Sequence, residues 1–279
     1  MIDGLIDKAY EYQKSIEADG ENWYLRQVLL RHTMSIQSGS YGEMQMNVRG
    51  QMVCAWGAIG FAGMGLLGFI VANIIPPMSP NLSAEAIAAI YQENTLSMRF
   101  GFLLFMTSTG FMCAFVAAVA MQMKRIEGGI GPYTTMQIAA GSLTALIFVV
   151  ATVFWTGAAF RPNGDPEIIR VLNDLGWIML LMTFAPFIMQ NFSLGLCVLS
   201  DGGEIKVMPR WVGYYNFWTG VTFIPGGMLT FFKTGPFAYD GLFVWWIPFT
   251  FFFGWFPVMF FVIRKAIMEQ EAAGEPSTA

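Results

Sequence analysis

Long apolar runs alternate with short polar connections along this chain. Six runs of about bilayer-spanning length stand at Gln51–Ile75, Phe100–Met123, Thr135–Phe160, Leu175–Leu199, Trp211–Phe232 and Gly241–Ile263. Each run is continuous rather than alternating with period two, which predicts helices and argues against a β-barrel. The first run stops at Pro76-Pro77, the second at Lys124-Arg125 and the sixth at Arg264-Lys265. The fold class is therefore all-α: a polytopic membrane protein of six transmembrane helices over residues 49–265. A polar N-terminal segment, 1–48, precedes it and a polar tail, 266–279, follows. Within 1–48, Trp23, Tyr24, Val28 and Leu29 form an apolar stripe beside Arg26 and Arg31. That stripe predicts an amphipathic helix, lying in the membrane interface or packed on the protein's own inner face. The chain does not open with the basic-then-apolar pattern of a secretory signal.

One stretch occurs twice. Pro80-Asn81-Leu82-Ser83-Ala84-Glu85 returns 82 residues later as Pro162-Asn163-Gly164-Asp165-Pro166-Glu167. Each copy reads as a short capped helix, with Ser83 or Asp165 at the N-cap and a glutamate in the first turn. Because each lies between two apolar runs, the pattern predicts repeated two-helix hairpins in parallel orientation. The connection Lys233–Asp240 is too short to hold a third copy.

Composition sharpens the class. Charged residues are 12% of the chain and aliphatic plus aromatic residues 55%, with 26 Phe and 20 Met; a soluble core of this size would not need them. With six helices both termini share a side. Arg99, Arg161, Arg170 and Lys233 fall on one side and the other eleven of the fifteen Lys and Arg on the opposite one. The positive-inside rule then places both termini in the cytoplasm. Trp56, Trp155, Trp177, Trp211, Trp245 and Trp246 stand near the expected span ends, where interfacial anchors belong. No basic run suggests nucleic acid.

Candidate chemistry is sparse. No expected span carries an ionisable residue in its centre, which counts against a proton-coupled pump. The single histidine, His32, lies in the polar N-terminal segment, so no haem, copper or other metal site is expected and no cofactor is assigned. Cys54, Cys113 and Cys197 all sit in apolar runs and read as small hydrophobes. Gly57, Gly60, Gly63, Gly65 and Gly68 form a small-residue series for close helix packing or for lining a path. Two groups of polar residues are candidates for a site. Gln190, Asn191 and Asn216, with the helix-interrupting Pro186 and Pro225, would either bond helices together or line a ligand pocket. Glu85, Glu167 and Asp174 would form a site at the outer surface, if they are not simply neutralised by helix starts and arginines. Pro225-Gly226-Gly227 is the strongest candidate for a break in a span.

Three phrases carry a resemblance: Phe160-Arg161-Pro162-Asn163-Gly164-Asp165-Pro166-Glu167-Ile168 with Leu172–Trp177, Pro209-Arg210-Trp211-Val212-Gly213-Tyr214, and Phe232-Lys233-Thr234-Gly235-Pro236-Phe237. They resemble a family of uncharacterised bacterial multipass membrane proteins over about residues 50–265. The resemblance implies a bacterial inner-membrane location and no catalytic residue. The leading functional expectation is transport or permeation of a small, weakly polar or apolar solute. A second is a non-catalytic subunit of a membrane complex, docking a cytoplasmic or membrane protein partner through residues 1–48. A third, an intramembrane enzyme acting on lipid-like substrates, is disfavoured by the lack of ionisable groups in the spans.

Overall fold

The computed structural model describes the backbone of residues 23–274 and the side chains of residues 47–274. The described elements are all helical: α1 (Trp23–Val71), α2 (Ala84–Glu93), α3 (Thr95–Glu127), α4 (Pro132–Phe160), α5 (Pro166–Met182), α6 (Ala185–Ser200) and α7 (Arg210–Val221). A 3-10 segment (Ile224–Thr230) and a π turn (Leu242–Trp246) then lead into α8 (Ile247–Ala273). Five stretches are long and apolar enough to cross a membrane: Asn47–Val71, Thr95–Glu127, Pro132–Phe160, Pro166–Ser200 and Leu242–Ala273. By length and composition the chain is a polytopic helical membrane protein. It divides between Asn47 and Val48, and the bundle is built by the unit from Val48 onward. The apolar stripe expected within residues 1–48, and His32 with it, lies outside the residues whose side chains are described.

The fifth expected span is not a single helix. Trp211–Phe232 divides into the twelve residues of α7 and the 3-10 segment. Pro225 lacks the N–H that would continue the α ladder, and it sits in the first turn of that segment. The fourth expected span is also divided. Its helix begins at Pro166, so the second capped helix of the repeat is simply the start of the span, and it breaks at Thr183-Phe184 ahead of Pro186. Pro186, Pro225 and Pro248 therefore each stand at the start of a helical segment; of the prolines in the later spans only Pro257 lies within one. The first span ends at Val71, short of Pro76. Asn73 adopts a left-handed conformation (φ 54°), and Ile74 N–H donates to the Phe69 carbonyl while Asn73 N–H donates to Ile70. This is the paired pattern of a Schellman stop.

The glycine series serves packing. A methyl group on Gly60 or Gly68 would lie 2.9 Å from the Phe111 ring or 2.8 Å from the Gly101 carbonyl, and Gly57 likewise meets α3 backbone. Gly63 alone of the five meets nothing within 4 Å. In lipid, where burial from water gives no drive, such close approach supplies the dispersion contacts that hold helices together. α4 packs against α3, α5 and α6. Gln137, Gly141, Thr144, Phe148, Ala151 and Trp155 recur along it in steps of three and four, and all are buried.

The interior is aromatic. Phe61 joins α1 to Phe148 of α4 and Phe256 of α8, at centroid distances of 5.5 and 4.7 Å. Three of the six tryptophans expected at the interface belong to this core instead. Trp155, Trp177 and Trp245 are buried, with Trp177 edge-on to the other two at 4.9 and 5.2 Å. Trp56, Trp211 and Trp246 are exposed, as anchors should be.

Both N-caps form as expected, although the second heads a helix of 17 residues rather than a short one. Ser83 accepts from Ala86 N–H at 3.3 Å and Asp165 from Glu167 N–H at 2.8 Å. The two copies also touch through matching positions. Tyr91 and Asn173 stand 82 residues apart, the offset of the repeat, and the Tyr91 hydroxyl donates to Asn173 Oδ1 at 3.2 Å.

At the opposite end of the bundle, three buried glutamines clamp α1, α3 and α8. Gln122 donates to Gln51 at 2.6 Å and to Gln270 at 3.3 Å. Arg125 closes the clamp by donating to Gln122 Oε1 and to the Ala266 carbonyl. α8 runs on to Ala273, past residue 266 where the sequence places the start of a tail, because Ile267 and Gln270 remain buried.

Candidate functional site

The two divided spans lie beside each other. Gly226 of the 3-10 segment sits so close to the Leu181 carbonyl that a methyl group would approach it to 2.5 Å. This contact requires glycine and docks the second break onto the end of α5. Where the breaks meet, a cavity of about 60 Å³ opens between α4, the α5–α6 break, Phe223 and the start of α8. Phe148, Phe184, Phe187, Phe223, Trp245 and Phe252 form most of its wall. Thr144 and Thr183 supply the hydroxyls. Each donates its proton to a carbonyl of its own helix, Thr144 to Ala140 at 2.9 Å and Thr183 to Met179. The two threonines therefore offer the cavity acceptor lone pairs. Non-helical backbone at membrane depth is tolerated where it is buried in protein or lines a cavity, and here it does both.

The polar residues nominated by the sequence divide around this cavity. Pro186 and Pro225 flank it: Pro186 stands between Phe184 and Phe187, and Pro225 follows Phe223 and Ile224. Gln190, Asn191 and Asn216 are buried but do not line it. Asn216 joins α7 to α8, accepting from the Trp255 indole at 2.8 Å and donating to the Val212 carbonyl at 2.8 Å. Asn191 donates to Phe187 O one turn back, at 2.8 Å. Gln190 reaches over Gly141 of α4, where an added methyl would meet its amide nitrogen at 3.2 Å.

The three carboxylates expected at the outer surface all feel one cation, Arg170. Glu167 is paired with Arg170 at 2.6 Å, and the same guanidinium acts electrostatically on Glu85 and Asp174. Glu85 is fully exposed in the first turn of α2. Backbone N–H donation, then the Ser83 hydroxyl, holds its carboxyl below the usual range. Asp174 lies lower, two turns into the fourth span, where Tyr239 donates to it at 3.2 Å and Asn173 at 3.4 Å.

Tyr91, Asn173 and Tyr239 form a buried polar layer that the sequence did not single out. Tyr239 stacks on Trp177 at 5.7 Å with 15° between the rings. Burial, and after it the Asp174 charge, raises both tyrosine hydroxyls above the ordinary phenol value of 10.0. The signal that could have found this layer is the repeat itself. Continued eleven residues past Pro80 and Pro162, it aligns Tyr91 with Asn173.

No family model, curated protein or solved structure matches this chain.

Proposed function

We propose that this chain is a six-crossing protein of the bacterial inner membrane, with both termini in the cytoplasm, that binds and passes a small neutral solute of apolar or weakly polar character. The cavity at the two facing helix breaks carries the reading. Discontinuous helices that meet near the middle of a bundle are the usual construction of a solute site in membrane carriers. Its volume of about 60 Å³ admits roughly four water-sized groups. Its wall has no charged residue, so an ion entering it would lose hydration without compensation. The divided fifth segment supports a sixth crossing: twelve α residues and seven 3-10 residues span about 30 Å at their standard rises, the thickness of a hydrocarbon core.

The test is flux across liposomes reconstituted with the full chain, using short alcohols, small amides and ammonia as neutral probes and sodium and chloride as ionic controls. Wild type should raise the flux of at least one neutral probe and of neither ion. Thr144→Leu and Leu181→Trp, which fill the cavity, should return that flux to the level of empty liposomes. A wild type no faster than empty liposomes for every neutral probe would end the proposal.

A further inference from the structure

The end of the bundle that carries the glutamine clamp is also its cationic end. Arg125 contacts the Ala266 carbonyl there, beside Arg264 and Lys265 of α8, and the connection before α7 brings in Lys206 and Arg210. Between that connection, the start of α7 and the last turns of α8 runs a surface groove of about 640 Å³. Its floor is apolar, built by Pro209, Trp211, Val258, Phe261 and Val262. Phe261 and Trp211 are 65% and 51% exposed, so the floor is open rather than covered by another part of the bundle.

The rim has the opposite character. Lys206 and Lys265 stand on it, with Glu269 as the one acid among the lining residues. Lys206 gives one of its three hydrogens to the Asp201 carbonyl at 2.6 Å, which fixes the ammonium at the groove mouth. Lys265 sits 3.6 Å from Glu269 in a pair whose side chains are 71% and 52% exposed. A pair so open is weakly held and leaves the ammonium available to a stronger acceptor. Trp211 marks the depth, since a half-exposed indole at a helix start belongs at the boundary between headgroups and hydrocarbon.

Two ammonium groups above a long apolar floor at that depth match one occupant on both counts. We propose that the groove holds an anionic phospholipid, its phosphate on Lys206 and Lys265 and its acyl chains along Trp211, Val258 and Phe261. A free phosphate would satisfy the lysines and leave the apolar floor unused. A zwitterionic lipid would bring a quaternary ammonium toward two like charges. The site rests on the membrane placement of the chain and is independent of the interior cavity.

The experiment uses the purified full chain in a neutral detergent, titrated with phosphatidylglycerol, phosphatidylcholine or inorganic phosphate. Thermal unfolding and lipid retention by native mass spectrometry are the two readouts. Phosphatidylglycerol should raise the unfolding temperature and remain bound. In Lys206→Gln/Lys265→Gln the retention should fall roughly thirtyfold, as expected for two interfacial lysines. Arg264→Gln, which alters a neighbouring cation that does not line the groove, should retain lipid as wild type does. Equal retention of phosphatidylcholine, an equal thermal shift with inorganic phosphate, or undiminished retention in the double variant would each overturn the assignment. Lys265 is exposed and Lys206 half-buried with one bond to a backbone carbonyl, so the unfolding temperature of the variant without lipid is compared with that of wild type first.

Discussion

At the scale of single residues, the sequence showed depth but not partners. Gln190, Asn191 and Asn216 stand in apolar runs, and each is buried. What an amide bonds depends on how its helix is rotated against its neighbours, and one sequence does not give that rotation. The Asn216 carboxamide found an indole on α8 rather than a ligand. Asn216→Leu should therefore leave the Trp255 N–H buried without an acceptor and cost about 1–2 kcal/mol. Denaturant titration in detergent would measure it. Trp255→Phe in the same background should make the Asn216 substitution nearly harmless, and equal costs in both backgrounds would refute the pairing. The tryptophans teach the same lesson. Trp155 and Trp177 lie near the expected span ends, yet both are sealed in the core, where Trp155 stacks on Phe102 and Trp177 meets Tyr239 and Trp245.

Tyr91 and Tyr239 give a pH dependence at this same scale. Both hydroxyls are raised above 10.0 by burial first and by Asp174 second. A group that holds its proton more tightly folded than unfolded contributes fully below the unfolded value. Its contribution is lost as pH climbs from there toward the folded value. Wild type should thus lose stability above about pH 10, and Tyr91→Phe/Tyr239→Phe should lose less over the same interval. Unfolding midpoints between pH 8 and 11 would decide it, and parallel curves would contradict the burial argument.

At the scale of elements, the helices were legible and so was the break at Pro225-Gly226-Gly227, but the form the interruptions take was not. Apolar run length located every long helix. It did not show that the fourth span begins at Pro166, or that Pro186 and Pro225 begin segments rather than bend them. A proline fixes its own φ and removes one donor; whether the chain kinks or restarts there depends on what the freed carbonyls can meet. The glycine series was readable as a packing seam, but which glycines face α3 was not. Gly101 of α3 lies against Gly68 of α1 and Ala72 just past its end. Gly101→Val must push these backbones apart and should cost about 1–3 kcal/mol. Gly63→Ala, with open space around it, should be neutral within about 0.5 kcal/mol. Equal effects of the two substitutions would show that the α1–α3 seam is not where the stability lies.

At the scale of the whole molecule, the distribution of charge and the path of the chain make one argument. Over residues 47–274, the end bearing Lys124, Lys206, Arg210 and Lys265 holds seven Lys and Arg against five Asp and Glu; the end bearing the capped helices holds four against six. That asymmetry orients a bundle in a membrane only if the chain alternates ends at every segment. The weak link is α7 with its 3-10 continuation, since no single long helix carries the chain from Pro209 to Lys233. A re-entrant segment would return Lys233 to the cationic end and place α8 in the opposite sense. The proposed crossing fits three contacts. Asn216, early in the segment, is bonded to Trp255 in the middle of α8, whereas Gly226, late in it, packs on Leu181 at the far side of the α5–α6 break. Tyr239, just beyond it, reaches Asp174 near the capped helices. In a background with Cys54, Cys113 and Cys197 replaced by alanine, single cysteines at Gly202 and Thr234 should therefore label from opposite faces of sealed inner-membrane vesicles. With the cationic end in the cytoplasm, an impermeant maleimide added to inverted vesicles should modify the Gly202 position and spare Thr234, and right-side-out vesicles should reverse the pattern. Labelling of both positions from one face would make the fifth segment re-entrant. The charge count would then no longer fix the side of the C-terminus.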